Sequence, residues 1–257
     1  MTGVDWANLS NEVVIVTGAG AGIGAHCATA LARRGARVMV TDINGGAAQA
    51  VAEAIGPAAR YRALDVSDPA AVAATVDETL NTWGKLTVAV NNAGVGVPTP
   101  RRLHEIEDHE WRRVLDVNLD GAFHCARAEL KAMLQAPLRA DGTRASIVMM
   151  GSVGSLVGLP GASNYVTAKH GLLGMTKAIA VDYAAEGIRA NLVAPGYVDT
   201  AISQRSADAK SALAAKHPVN RLADASEISG AVCFLASPES AFVTGSHFAV
   251  DGGYTAQ

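Results

Sequence analysis

The chain has 257 residues, 49% of them hydrophobic and 18% charged, with 26 glycines and a formal net charge of −3. This is too apolar for a disordered chain and long enough to bury a large core. The near-neutral balance, with no basic run longer than a pair such as Arg33-Arg34, excludes the electrostatic footprint of a nucleic-acid or anionic-membrane binder.

Short apolar runs alternate with alanine-rich stretches of helical period. Residues 13–16 read as a strand, 23–34 as a helix ended by Gly35, 37–41 as a strand, 47–55 as a helix, and 61–64 as a strand. Asp68 is the expected N-cap of a helix running to Trp83, with Pro69 in its first turn. A strand over 86–90, one long helical region over 106–135 and a strand over 146–150 follow. The helix predicted for 164–186 leads to a strand over 189–193, then a polar, helix-prone stretch to Pro218. Ser226 is the expected cap of a helix over 226–235, and residues 247–250 form a last strand. Wholly apolar strands of four or five residues suit a parallel sheet covered on both faces. Strict alternation with helices implies right-handed crossovers, hence an α/β fold with a doubly wound sheet. No linker or composition break divides residues 1–257, which read as a single domain.

Three cysteines, Cys27, Cys125 and Cys233, lie far apart with no CxxC pair, so they are expected to be buried thiols of a reducing compartment. The N-terminus lacks the basic region of a signal peptide, and the longest uncharged stretch, 145–168, is broken by Ser, Gly, Pro and Asn. A cytoplasmic chain without a membrane span is expected. The seven histidines have no metal-ligand spacing, and no metal is expected.

Thr17-Gly-Ala-Gly-Ala-Gly-Ile-Gly24 lies between the first strand and the first helix. The fitting frame is TGxxxGIG, with Gly18, Gly22 and Gly24, because Ile23 stands where a GxGxxG read from Gly18 needs glycine. Such glycines let the backbone approach a pyrophosphate, which the helix N-terminus then attracts. Asp42 ends the second strand, where a carboxylate can bind the adenosine ribose hydroxyls, and neither Ile43 nor Asn44 beside it is basic. A 2′-phosphate about 4 Å from that carboxylate would be repelled by about 4 kcal/mol before screening, at an effective dielectric near 20. The expected cofactor is NAD.

Tyr165 and Lys169 are four apart in a predicted helix and so share a face, and Ser152 directly follows the fifth strand. A tyrosine base near neutral pH needs its pKa of about 10 lowered by about 3 units, and an ammonium about 5 Å away supplies most of that. With Asp65-Val66, Asn91-Asn-Ala-Gly94, Asn118, and Pro195-Gly196 with Thr200, these motifs make the chain similar to the classical short-chain dehydrogenase/reductase family over essentially its full length.

That resemblance implies a Rossmann-type, seven-stranded parallel sheet and NAD(P)-dependent interconversion of an alcohol and a carbonyl. It implies that Tyr165 takes the alcohol proton, Ser152 holds the substrate oxygen, Lys169 lowers the Tyr165 pKa and binds the nicotinamide ribose, and Asn118 interrupts its helix to keep a relay water. Asp65 and Val66 would flank the adenine, Val198 would meet the nicotinamide, and Thr200 would lie near the carboxamide or pyrophosphate. The expected cofactor-binding set is thus Gly18, Gly22, Ile23, Gly24, Asp42, Ile43, Asp65, Val66, Asn92, Ala93, Gly94, Tyr165, Lys169, Pro195, Gly196, Val198 and Thr200. Family position puts the pocket walls at 95–98, 153–159, Tyr197 and 201–217. Val95, Val97, Val153, Leu156, Val157, Leu159 and Ile202 make those walls apolar, so a neutral, moderately bulky secondary alcohol or ketone, cyclic or aryl-substituted, is the expected substrate. The small-residue helices 111–135 and 164–183 suit the homotetramer that the family implies. Two other readings stay open, a 3-oxoacyl-carrier-protein reductase-like enzyme and a non-catalytic NAD-sensing protein. Asp42, Asp182 and Glu186 speak against the first, and the Tyr165–Lys169 pair against the second.

Overall fold

The computed structural model describes residues 8–139, 141–199 and 206–257. Seven parallel strands form one sheet in the order β3 (Ala59–Ala63), β2 (Arg37–Asp42), β1 (Val13–Val16), β4 (Val88–Asn91), β5 (Ala145–Met150), β6 (Ile188–Pro195) and β9 (His247–Val250). The register is set in the middle by Val14 opposite both Val38 and Val88. Successive side chains of a strand point to opposite faces, and both faces are apolar. Val14, Val16, Val38, Val40, Val88, Val90 and Val148 pack on one side with helices α1 (Gly22–Arg33), α2 (Gly45–Ile55) and α8 (Ala225–Ala236). Ile15, Met39, Ala89, Ile147 and Met149 pack on the other with α3 (Pro69–Trp83), α5 (Gly121–Met133) and α6 (Ser163–Tyr183). Each buried Val, Leu, Ile or Met contributes about 1.5–3 kcal/mol, which explains strands without polar alternation.

The strand order reverses between β1 and β4, so the crevice at their carboxyl ends is where such a sheet binds ligands. Several local expectations need correction. Edge strand β3 runs from Ala59, with Arg60 and Tyr61 exposed, because an edge needs only one buried face. Strand β4 begins at Val88, and the helix expected to reach residue 186 ends at Tyr183, followed by a 3-10 turn. Asp68 caps α3 by accepting from the Ala70 N–H at 2.8 Å, as expected. Helix α8 is capped by Asp224, not Ser226: the Ser226 N–H is itself the donor to Asp224, at 2.8 Å, and Glu227 reaches back to the Asp224 N–H.

The region expected as one long helix is α4 (Asp108–Leu115), a π turn over Asp116–Asp120, and α5. Helix α7 (Ala207–Ala214) lies in the stretch read as helix-prone. A small ladder missed in the sequence pairs β7 (Val198–Asp199) with β8 (Ala223–Asp224).

Candidate active site

The β1–α1 turn is built around backbone contacts. Gly18 and Gly22 adopt φ of +61° and +57°, which side-chain-bearing residues rarely do. Thr17 Oγ1 accepts the N–H groups of Asn92 and Ala93, each at 3.0 Å, while Asn92 Nδ2 donates to the carbonyls of Thr17 and Gly18, each at 2.9 Å. The turn after β1 and the turn after β4 are therefore one hydrogen-bonded unit. Helix α1 starts there with no side-chain cap and no acid in its first turn, leaving its N–H groups and positive dipole for an anion. This suits a pyrophosphate, so the residues fit a dinucleotide.

Asp42 is partly buried at the end of β2, its carboxylate accepting the Gly20 N–H and the Asn44 N–H, both at 2.9 Å. Ile43 is 72% exposed beside it. The nearest basic residue across the ladder, Arg62 opposite Thr41, pairs with Glu78. Asp65 accepts the N–H and the hydroxyl of Ser67 at 2.9 and 2.7 Å, and Val66 is buried against Gly121.

A cleft of about 610 Å³ opens at the carboxyl ends of the central strands. It brings together Ile23, Asn92, Gly94, Asn118, Ser152, Tyr165, Lys169, Pro195, Gly196 and Val198. Gly18, Gly22, Gly24, Asp42, Ile43, Asp65, Val66 and Ala93 lie outside its lining, on the turns described above and next to Asn92. Thr200 and Ile202 lie outside the described residues. Of the expected apolar walls, Val95, Val97, Val153 and Leu159 line the cleft. Leu156 does not, because it packs on the core under α6. Val157 is absent from the lining too, and Pro98 faces a neighbouring cleft with Arg101 and Glu110.

Ser152 leaves β5 into a 3-10 turn over Val153–Ser155, its Oγ accepting the Gly154 N–H at 3.1 Å. One turn apart on α6, Tyr165 and Lys169 place the lysine Nζ 5.7 Å from the tyrosine ring centroid. Lys169 is 4% exposed and donates to the Met150 carbonyl at 2.7 Å, and burial pushes its pKa down to about 8. Burial also pushes the Tyr165 hydroxyl up, against a lowering hydrogen bond with Ser152, with Tyr197 adding to the rise. The expected depression of Tyr165 by Lys169 is thus not found in this geometry. The lysine lies over the ring and donates to the Met150 carbonyl, and desolvation sets the direction of the Tyr165 shift.

Asn118 sits in the π turn, as expected of a helix interruption, and its carboxamide bonds the backbone of Val95. Gly94 makes the close approach possible, since a Cβ there would stand 2.5 Å from Asn118 Oδ1.

The family model described as enoyl-(acyl carrier protein) reductase matches residues 18–255. The chain is 39% identical to the cyclohexanol dehydrogenase of Acinetobacter sp. (strain SE19), covering 96% of both chains. It is 42% identical to the cis-4-hydroxycyclohexanecarboxylate dehydrogenase of Sinomonas cyclohexanicum, over 96% of this chain and 98% of the relative. It is 35% identical to the 3-oxoacyl-[acyl-carrier-protein] reductase of Escherichia coli (strain K12), with the same coverage. The chain belongs to the classical short-chain dehydrogenase/reductase family.

This short-chain dehydrogenase/reductase is an alcohol/ketone oxidoreductase using a nicotinamide cofactor. No helix among its described residues is long and apolar enough to cross a membrane. Three residues of the site were not singled out in the sequence, although two of them lie in the 201–217 stretch expected as a wall. Asn91, below the Asn92 turn, donates at 2.8 Å to Glu129, a buried carboxyl on α5. Residue 129 falls on the 122, 126, 129, 133 stripe of α5, and an acid on an apolar stripe was the available signal. His217 is buried and accepts the Tyr197 N–H at Nε2, 3.1 Å away, while its Nδ1 is 3.0 Å from the Leu213 carbonyl. Lys216, beside it, lines the cleft.

Proposed function

We propose that this enzyme oxidises a secondary alcohol with a carbon-rich, ring-sized body to its ketone, and runs the reverse reduction, with NAD(H). The observation that carries the reading is one cleft lined together by Ser152, Tyr165 and Lys169, by Gly94 and Pro195-Gly196, and by the apolar Val95, Val97, Val153, Leu159 and Leu213. Bound NAD supplies the hydride acceptor. As the phenolate, formed when its own proton passes to the relay water and held by the positive charge of Lys169 and of the bound NAD ring, Tyr165 Oη takes the hydroxyl proton of the alcohol and returns it in reduction. Ser152 Oγ, which accepts the Gly154 N–H, holds the substrate oxygen. Lys169 contributes positive charge at the cleft floor and, released from Met150, a donor for the nicotinamide ribose. Asn118 fixes the Val95 wall, and the π turn around it breaks the regular helical bonding, which suits a relay water. Each methylene buried against the walls contributes about 0.8 kcal/mol, which rewards a hydrocarbon ring over a polyol.

The preference for NAD over NADP rests on Asp42, with Ile43 and Asn44 beside it and Arg62 neutralised by Glu78. The match to carrier-protein reductases supports a second reading, reduction of a 3-oxoacyl thioester with NADPH. The two readings separate in one screen: kcat/KM for cyclohexanol and aryl alcohols with NAD, against a 3-oxoacyl thioester with NADPH. Faster thioester reduction would replace the first reading with the second. A clear preference for polyols would remove the apolar-pocket reading alone.

We further infer a cytoplasmic homotetramer. The three buried, unpaired thiols suit a reducing compartment, and Phe123 on α5 and Val181 on α6 are exposed on the helices expected to pair. A monomer in light scattering at micromolar concentration would overturn the assembly.

A further inference from the structure

We propose that Lys216 receives a carboxylate on the substrate, at the end remote from the reacting hydroxyl, so that the preferred ring alcohol is a hydroxy acid. This rests on the ring-alcohol reading and refines its neutral-substrate expectation at the mouth of the cleft. Among the described residues lining the cleft, two carry charge, Lys169 and Lys216, and none is acidic. Lys169 is at the floor, buried, with a proton committed to Met150. Lys216 is exposed at the rim, its Nζ 5.7 Å from the centre of the Tyr197 ring.

No ion pair engages Lys216 among the described residues. Of the acids on the neighbouring segments, Asp208 in the first turn of α7 makes no ion pair with Lys216, and the others are occupied. Asp199 pairs with Lys210 at 2.9 Å, and Asp251 accepts the N–H groups of Gly253 and Thr255 and the Thr255 hydroxyl. The backbone that carries the cation is also held in place. His217 ties its turn to Tyr197 and Leu213, and Gln257 donates to the Lys216 carbonyl at 3.2 Å. An ammonium lying over the Tyr197 ring, beside apolar walls and without an ion pair among the described residues, favours an anion there. One ammonium balances one negative charge, so a monoanionic carboxylate is neutralised there whereas a phosphate dianion keeps a net charge against apolar walls. Floor and rim then read opposite ends of one molecule.

The test compares kcat/KM for 4-hydroxycyclohexanecarboxylate, both isomers, with that for the neutral carboxamide of the same shape, using NAD and NADP. The acid-to-amide ratio should exceed one in the wild type and fall about fivefold in K216Q, mainly through KM. It should largely recover in K216R and shrink as salt is raised. A ratio unchanged by K216Q, or a wild type that prefers the amide, overturns the proposal while leaving the dehydrogenase reading intact. If neither compound is oxidised, the ring-alcohol reading fails. Calorimetric titration of cyclohexanecarboxylate into the enzyme with NADH still decides on Lys216: binding weakened by K216Q supports it, and equal or absent binding in the wild type overturns it.

Discussion

The carboxamide of Asn118 and the backbone of Val95 exchange two hydrogen bonds, 2.8 Å from Nδ2 to the carbonyl and 2.9 Å from the Val95 N–H to Oδ1. The pair joins the π turn to the loop after β4, across a cleft wall. Asn118→Ala removes both bonds and leaves two backbone groups of a partly buried residue unpaired, at about 1–3 kcal/mol each. The expected result is a loss of kcat/KM between about tenfold and a hundredfold, with the far-ultraviolet circular dichroism unchanged. Activity within twofold of wild type would remove Asn118 from the site.

Tyr165→Phe deletes only the phenolic oxygen, so coenzyme binding should persist while turnover falls by about a thousandfold, within the range for loss of a general acid–base group. NADH fluorescence on binding and steady-state rates separate the two effects. Retained turnover would move the proton acceptor elsewhere. A chelator should leave the wild-type rate unaltered.

Asp42 sets the coenzyme through charge. Wild type should favour NAD over NADP by at least about tenfold, since even a third of the unscreened repulsion of about 4 kcal/mol has that effect. Asp42→Ala with Asn44→Arg removes the carboxylate and adds a cation, and the ratio of kcat/KM values should shift towards NADP. A wild type already favouring NADPH contradicts the assignment.

Glu129 makes stability depend on pH. Burial pushes its pKa from 4.5 to about 7, against the lowering hydrogen bond from Asn91. Between those values the unfolded chain has released the proton and the folded chain retains it. Stability from this residue is therefore complete below about pH 4.5 and is lost as pH rises through about 7, by about 3 kcal/mol. Asn91 Oδ1 is a buried acceptor with no hydrogen-bond donor among the described residues, and an ionised carboxylate beside it offers none. Glu129→Gln mimics the protonated form. Denaturation should find the variant close to wild type at pH 5 and more stable at pH 8. A wild-type stability flat between those pH values would show that the carboxyl is ionised throughout.

Much of this site is legible in one dimension because it is made of backbone turns. The Thr17–Gly24 segment, Asn92–Gly94, and Tyr165 with Lys169 have fixed local spacings, and residues at the ends of adjacent parallel strands must converge. What escaped the sequence depends on contacts distant in the chain. Lys216 enters the cleft through the bond between His217 and Tyr197, twenty residues back. The Tyr165 environment could not be read either, because periodicity gives the shared face with Lys169 but not the depth at which both are desolvated. The cap of α8 was legible and misread: Asp-Ala-Ser-Glu holds an acid with a glutamate three residues on, which outcompetes the serine.

The short ladder between β7 and β8 pairs Val198 with Ala223 and Asp199 with Asp224, so the chain leaves and rejoins the scaffold at nearly one point. Helix α7 and Lys216 lie between, on a segment whose two ends are pinned together. For a loop closed in this way, doubling the length costs only about 0.6 kcal/mol in entropy. The seven-stranded sheet and the Ser152–Tyr165–Lys169 cluster lie outside that segment. Transplanting residues 200–222 from a relative should therefore exchange the substrate-facing rim while the catalytic floor stays in register, and divergence of substrate range within such a scaffold can proceed by editing one segment.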